Sequence, residues 1–107
     1  MWQKGLELVS EIYKTTQGFP REEKYALSSQ MRRIVVSIPS NITDGFRGRY
    51  DKERKQFINI ALGSYAELET QIIISKESGY IDVLIEAFLM ETLDQICAVL
   101  VNLNKKI

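Results

Sequence analysis

In Leu27-Ser28-Ser29-Gln30-Met31-Arg32-Arg33-Ile34-Val35-Val36-Ser37-Ile38-Pro39-Ser40-Asn41-Ile42, the residues Leu27, Met31, Ile34 and Ile38 recur at steps of four, three and four. That is one face of an amphipathic helix, and nothing in the stretch alternates as a strand does. Pro39 removes the N–H that would bond to the carbonyl of Val35, and its ring crowds that turn, so the spacing predicts a helix kinked near Pro39. Ser37, Ser40 and Asn41 are short and polar and can satisfy the freed backbone groups. With Glu22 and Glu23 placed for its first turn, the segment is expected to run from about residue 21 to 46.

Three more segments flank it. The first, about residues 2–16, carries Trp2, Leu6, Val9 and Tyr13 on one stripe and ends at Gln17-Gly18-Phe19-Pro20, where Gly18 suits a left-handed cap. The third, about residues 51–77, starts with Asp51 as N-cap. It has Phe57, Ala61, Ser64 and Leu68 on one stripe and Ile58, Leu62, Tyr65 and Ile72 beside it. Gly79 stops it, and Asp82 caps the fourth, about residues 82–105. Breaks of a few residues make sequential helices antiparallel. The expected fold is all-α, a single domain over 1–107 built as an antiparallel up-down-up-down four-helix bundle. The first helix is too short to cover the others, which leaves one end open or covered by something else.

Composition narrows the chemistry. The 107 residues are 45% hydrophobic and 26% charged, the balance of a globular chain. No histidine is present, so histidine-based triads, His-ligated zinc sites and Glu-x-x-His di-iron sites are absent. Glu67 and Glu69 stand about 200° apart on a helix and cannot chelate together. An enzyme, a metal centre and a cofactor are therefore not expected. The lone Cys97 sits in the apolar run Ile96–Val101 as core filler, and no disulfide can form within the chain. With no secretory signal and no span of roughly 20 apolar residues, a cytoplasmic, soluble protein without a membrane role is expected.

Net charge is zero but unevenly spread. Residues 21–55 hold nine basic and five acidic side chains, and residues 56–107 hold three basic and seven acidic. Arg47, Arg49, Lys52, Arg54 and Lys55 cluster around Tyr50. They read either as a loop for phosphate contacts with an aromatic available for stacking, or as a solvated connection. Gln30, Arg33, Ser37, Asn41 and Asp44 share one helix face, with Glu67 and Gln71 on the neighbouring helix. They read either as a binding site or as a polar network at the proline that pairs Arg33 with Glu67 or Asp44. Trp2, Tyr13 and Tyr25 are expected in the core or an interface.

Ile81 to Leu103 holds 16 apolar residues in 23, and Phe57 to Ile74 holds 11 in 18. Both exceed the roughly three in seven that one buried stripe needs, which predicts self-association, with Leu89, Leu93 and Leu100 divided between core and interface.

The opening Trp2-Gln3-Lys4-Gly5, the turn Gly18-Phe19-Pro20-Arg21-Glu22-Glu23, the stretch Tyr25 to Arg33 and Ser37-Ile38-Pro39-Ser40-Asn41-Ile42 resemble the 23S rRNA intervening-sequence (S23-type) protein family. So do Ala61-Leu62-Gly63-Ser64, Glu67-Leu68-Glu69-Thr70-Gln71 and Gly79-Tyr80-Ile81. Thr43-Asp44-Gly45 departs from the family's usual Ala-Glu-Gly, and Arg33-Ile34 from its Arg-Ala. The resemblance implies small bacterial four-helix bundles that assemble as ring-shaped homopentamers. Related pentameric bundles act as accessory proteins to reverse transcriptases, so RNA, DNA or a nucleic-acid-processing protein is the partner this analogy implies. The functional expectation is a non-enzymatic homo-oligomer that binds nucleic acid through its basic loop. Its alternative is a purely structural or protein-binding oligomer.

Overall fold

The computed structural model describes residues 2–107. Helix α1 spans Trp2–Gln17, α2 Leu27–Arg47, α3 Asp51–Glu77 and α4 Val83–Lys106, with a single 3-10 turn at Arg21–Glu23 before α2. Gly5 lies against Pro39 and Arg32 bonds to Thr16, so α1 and α2 run in opposite directions. Gly45 against Phe57, Ser37 on Ser64 and Met31 on Ser75 set the same relation between α2 and α3. Asn104 on Asn59 and Tyr65 on Asp94 set it between α3 and α4.

The core is contributed by all four helices. Leu8 and Ile12 of α1, Met31, Val35 and Ile38 of α2, Leu68 and Ile72 of α3, and Leu89, Leu93, Ile96 and Leu100 of α4 are fully or almost fully buried. On α1 the buried stripe is Gly5, Leu8, Ile12 and Thr16, not the expected Trp2, Leu6, Val9 and Tyr13. The reason is close approach. An ideal Cβ on Gly5 would stand 3.2 Å from Pro39 Cβ, so the backbone of α1 rests directly on α2 there. Thr16 is buried with its hydroxyl donating to Ile12 O and accepting from Arg32 Nε at 2.8 Å. Arg32 also lies 4.8 Å from the Tyr13 ring, a cation–π contact that leaves Tyr13 at the surface. Trp2 is half exposed and Tyr25 almost wholly exposed, so none of the three aromatics belongs to the core.

Helix α2 does not start at residue 21. Residues 20–26 close i→i+3 bonds instead, Glu23 N–H to Pro20 O and Ala26 N–H to Glu23 O, and Gln30 N–H to Ala26 O is the first helical bond. This tighter path brings Phe19 against Tyr80, ring centroids 5.2 Å apart, and puts Glu23 within 2.7 Å of the Tyr80 hydroxyl. Those contacts outweigh helix propagation from Pro20. Pro39 lies inside α2 without ending it. Around it Ser37 Oγ donates to Ile34 O, Ser40 Oγ to Val36 O and Asn41 Nδ2 to Ser37 O, so these side chains bond the neighbouring carbonyls and not the Val35 carbonyl that Pro39 frees.

The caps divide. Gly79 takes φ 80° and closes α3 with Gly79 N–H on Lys76 O and Tyr80 N–H on Ser75 O. Asp82 accepts from Ile85 N–H at 2.8 Å, capping α4. Gly18 is not left-handed, because Gly18 N–H and Phe19 N–H turn back onto Thr15 O and Thr16 O instead. Asp51 is the first residue of α3 and caps nothing, since its carboxylate is taken by Arg54.

At 16 residues α1 is the shortest helix. Beyond its reach an apolar cavity of about 210 Å3 opens among Ile42, Phe46, Ile58, Leu100, Leu103 and Ile107. Leu89, Leu93 and Leu100 are all inside the chain's own core, so none is left for an interface. The excess apolar surface of α4 lies elsewhere: Val83, Leu84 and Phe88 are 62%, 77% and 50% exposed. No helix among the described residues is long and apolar enough to cross a membrane.

Tyr65 OH lies 2.8 Å from Asp94 Oδ1 and 2.9 Å from Glu69 Oε2, and it shares its one proton between them. Burial first, then these two carboxylates, push its pKa well above the ordinary 10.0. The Glu23 hydrogen bond raises that of Tyr80. A group whose folded pKa exceeds its unfolded value contributes fully below the unfolded pKa and loses that contribution as pH rises through the folded one. Stability to urea is therefore expected to fall as pH rises above 10. Tyr65→Phe combined with Tyr80→Phe flattens that decline in urea titrations at pH 8 and above. A double variant as alkali-sensitive as the parent contradicts the assignment.

Candidate functional site

The connection between α2 and α3 gathers the largest group of exposed cations. Gly48 leaves α2 in an extended conformation and turns its N–H back to Gly45 O. A Cβ on Gly48 would meet Arg54 Cγ at 2.8 Å and Arg54 N at 3.3 Å, so only glycine lets the Arg54 stem cross this point. Arg54 Nη1 then donates to Gly48 O at 2.9 Å, and its other arm pairs with Asp51. Arg54 is half-buried and committed to holding the loop. It is a structural member of the predicted cluster.

Arg47, Arg49, Lys52 and Lys55 differ from it. All four are exposed, and among the described residues none makes an ion pair. Lys52 and Lys55 flank an open groove along α3 with Gln56, Asn59 and Ile60. Tyr50 stands exposed in the same loop and Phe46 in the last turn of α2, 70% and 66%. Cations that release counterions beside aromatic faces that accept bases are the two components of sequence-tolerant nucleic-acid binding. Phe46 escaped the sequence reading. Four residues after Ile42, it continues the Ile38 and Ile42 stripe, so periodicity places it in the core and gives no signal of its exposure.

The polar face of α2 does not converge on one point. Ser37 bonds Ser64 of α3, and Asn41 bonds the Ser37 carbonyl, so these two serve the packing around Pro39. Gln30, Arg33, Asp44 and Glu67 are exposed. Arg33 makes no ion pair with Glu67 or Asp44 among the described residues. Gln71 is half-buried, and its Oε1 has no partner. Cys97 is half-buried near Tyr65 and does not fill the centre of the core, and burial pushes its thiol pKa up.

The nine cations of residues 21–55 do not form one patch. Arg21, Lys24 and Arg32 lie by the α1–α2 turn, and the loop cluster lies at the other end of α2, about 30 Å away along a helix of 21 residues.

No curated protein matches the sequence. Among solved structures, one of a protein of unknown function from the S23 ribosomal protein family of Bacteroides thetaiotaomicron VPI-5482 superposes with a TM-score of 0.89. The match covers 97% of this chain and 94% of that one at 21% identity, which establishes the four-helix fold. The sequence adds the finer relation. The family model of the 23S rRNA-intervening sequence protein matches residues 1–102, nearly the full length, and the chain belongs to that family.

Proposed function

We propose that the protein is a non-enzymatic, self-assembling helical scaffold that binds the phosphate backbone of RNA or DNA through its α2–α3 loop. The observation that carries the reading is the set Arg47, Arg49, Lys52 and Lys55, exposed and free of ion pairs beside Tyr50 and Phe46. Self-assembly matters because one copy of the loop on a chain of zero net charge is a weak electrostatic footprint. Repetition around a symmetry axis multiplies phosphate contacts without adding residues. Val83, Leu84 and Phe88 are the surface an association would cover. The resemblance to ring-forming bundles supplies the number five.

The same α4 surface favours a second reading, a purely structural or protein-binding oligomer, and one experiment separates the two. Retention of mixed-sequence RNA and DNA is measured at about 50 mM and about 200 mM salt, where phosphate contacts lose affinity steeply. Mass-resolved light scattering is run on the same samples. The expected mass is about 60 kDa, five times 12.3 kDa. Binding is expected at low salt only, and the quadruple change of Arg47, Arg49, Lys52 and Lys55 to Gln should abolish it at unchanged mass. Arg54 is left in place, because removing it would disturb the loop itself. No binding at low salt, or binding indifferent to the four changes, leaves the protein-binding oligomer. A 12 kDa species removes the scaffold altogether.

A further inference from the structure

The α1–α2 turn encloses a pocket of about 350 Å3 at the end of the bundle remote from the loop. Phe19 and Pro20 form one wall, while Arg21, Lys24 and Arg32 supply three cations to its lining and no carboxylate contributes to it. Ser28, in the first turn of α2, lines the same pocket. It is only 6% exposed, and its Oγ has no hydrogen-bond partner.

That orphan hydroxyl is unusual within this fold. Thr16, Ser40, Thr70, Ser75 and Thr92 all donate to the carbonyl four residues back in their helices. Ser28 has no such carbonyl, because the residue four back, Lys24, belongs to the preceding turn and not to α2. A buried hydroxyl without a partner is costly and is the mark of a missing acceptor. The backbone repeats the vacancy. Ala26 supplies no side-chain cap, and the N–H groups of Ser28 and Ser29 find no acceptor among the described residues. Through Ser28 the first turn of α2, with its unbonded amides and the positive end of the helix dipole, borders the pocket.

Arg32 is already held in place, its Nε on Thr16 Oγ1 and its Nη2 on Tyr13 O, which leaves its remaining N–H groups pre-positioned. Two carboxylates of the same turn oppose the three cations, the exposed Glu22 and, beside it, Glu23. Its Oε2 accepts from Tyr80 at 2.7 Å, and its Oε1 stands a long 3.5 Å from Leu27 N–H. Two carboxylates, one of them tied to Tyr80, still leave the three cations in excess by one.

We propose that this pocket binds a terminal phosphate, a phosphate monoester dianion. Ser28 Oγ and the N–H groups of Ser28 and Ser29 donate to its oxygens, and Arg21, Lys24 and Arg32 balance its charge. The monoester is favoured over a backbone diester on two grounds. It carries about −1.5 to −2 charge near neutral pH, and it presents three free oxygens to a donor set that converges from one side. The phosphate can come from a small phosphorylated metabolite or from the phosphorylated end of an RNA.

Amide NMR of the full-length chain tests this by titration with inorganic phosphate, a ribonucleoside 5′-monophosphate and the matching nucleoside. Saturable shifts at Ser28 and Ser29 are expected with phosphate and the nucleotide, and none with the nucleoside. Arg21→Gln with Lys24→Gln should weaken binding at least tenfold, since both side chains are exposed and neither packs in the core. Ser28→Ala should raise the melting temperature of the ligand-free protein while abolishing the stabilisation that phosphate gives. To identify the source, a short RNA with a 5′-phosphate is compared with its 5′-hydroxyl form in the quadruple loop variant, so that backbone binding at the far end does not contribute. Preference for the 5′-phosphate over the free nucleotide assigns an RNA end, and the reverse assigns a small phosphoester. Absence of saturable shifts at Ser28 and Ser29 overturns the proposal. So does phosphate binding that Ser28→Ala and the Arg21, Lys24 double variant leave unchanged.

Discussion

Leu93→Ala is expected to lower the free energy of unfolding by about 2–5 kcal/mol, the range for deleting a buried leucine side chain whose site cannot collapse around the void. Leu93 is wholly buried in the middle of α4, within a core cluster that includes Leu8, Met31, Leu68 and Ile72. A domain of this size has only about 5–15 kcal/mol of net stability, so the substitution removes a large share of it. The measurement is a urea titration, with the midpoint falling and the slope unchanged. Leu84→Ala is the matched control. At 77% exposure it deletes the same carbons from the surface and should move the midpoint little unless it disturbs assembly. Equal effects at the two positions would mean that α4 is turned about its axis from the orientation described.

Gly5→Leu is expected to have the second-largest effect, about 1–3 kcal/mol of destabilisation from overpacking, and the comparison with Gly5→Ala isolates its cause. The alanine Cβ would stand 3.2 Å from Pro39 Cβ, close enough that one helix must yield by a few tenths of an ångström. Against that cost stands the gain of about 1 kcal/mol in helix propensity on replacing glycine, so alanine should come out near neutral. Leucine gains a similar propensity but brings three further carbons to a contact already closed, and α1 must lift from α2. Gln17 and Tyr13 amides should then exchange faster while those of α3 stay protected, which a purely global destabilisation would not produce. If leucine is tolerated as well as alanine, the close approach of Gly5 to Pro39 is not a constraint on the fold.

The same contact shows where sequence reasoning reaches its limit. The sequence identified four helices, the core stripe of Leu68, the Asp82 cap and the stop at Gly79 correctly, because those features depend on residues near in sequence. Its periodicity chose the wrong face of α1. Trp2, Leu6, Val9 and Tyr13 form a larger apolar stripe than Gly5, Leu8, Ile12 and Thr16, yet the smaller stripe is buried because only it lets the backbone sit on Pro39. That reason lies in another helix. The 3-10 turn at Arg21 was hidden in the same way, since Phe19 and Glu23 answer to Tyr80, far along the chain.

For the candidate site, Arg47, Arg49, Lys52 and Lys55 were legible as a basic cluster. The separate duty of Arg54 was not, because it depends on how closely its stem crosses Gly48. The orphan Ser28 hydroxyl had no sequence signal at all. Only the turn that precedes it removes the carbonyl it would otherwise find. How the positive excess of residues 21–55 lies in space depends on the fold, and the length of α2 divides it between opposite ends of the molecule.

The pairing of Phe19 and Glu23 with Tyr80 has a consequence for how the molecule breathes. Tyr80 sits in the α3–α4 connection and its partners in the α1–α2 connection, 57 residues apart for the hydrogen-bonded pair. Two turns that would each fray independently are thereby latched to one another. Opening either one breaks both the 5.2 Å ring contact and the 2.7 Å hydrogen bond, so the latch opens and closes as a unit. Among the described residues the loop at the other end has no such latch to a second turn: its bonds run among Gly45, Gly48, Tyr50, Asp51 and Arg54, all local in sequence. The bundle thus has one end clasped across two turns and one end held by bonds local in sequence, and the cations of the α2–α3 loop are at the second.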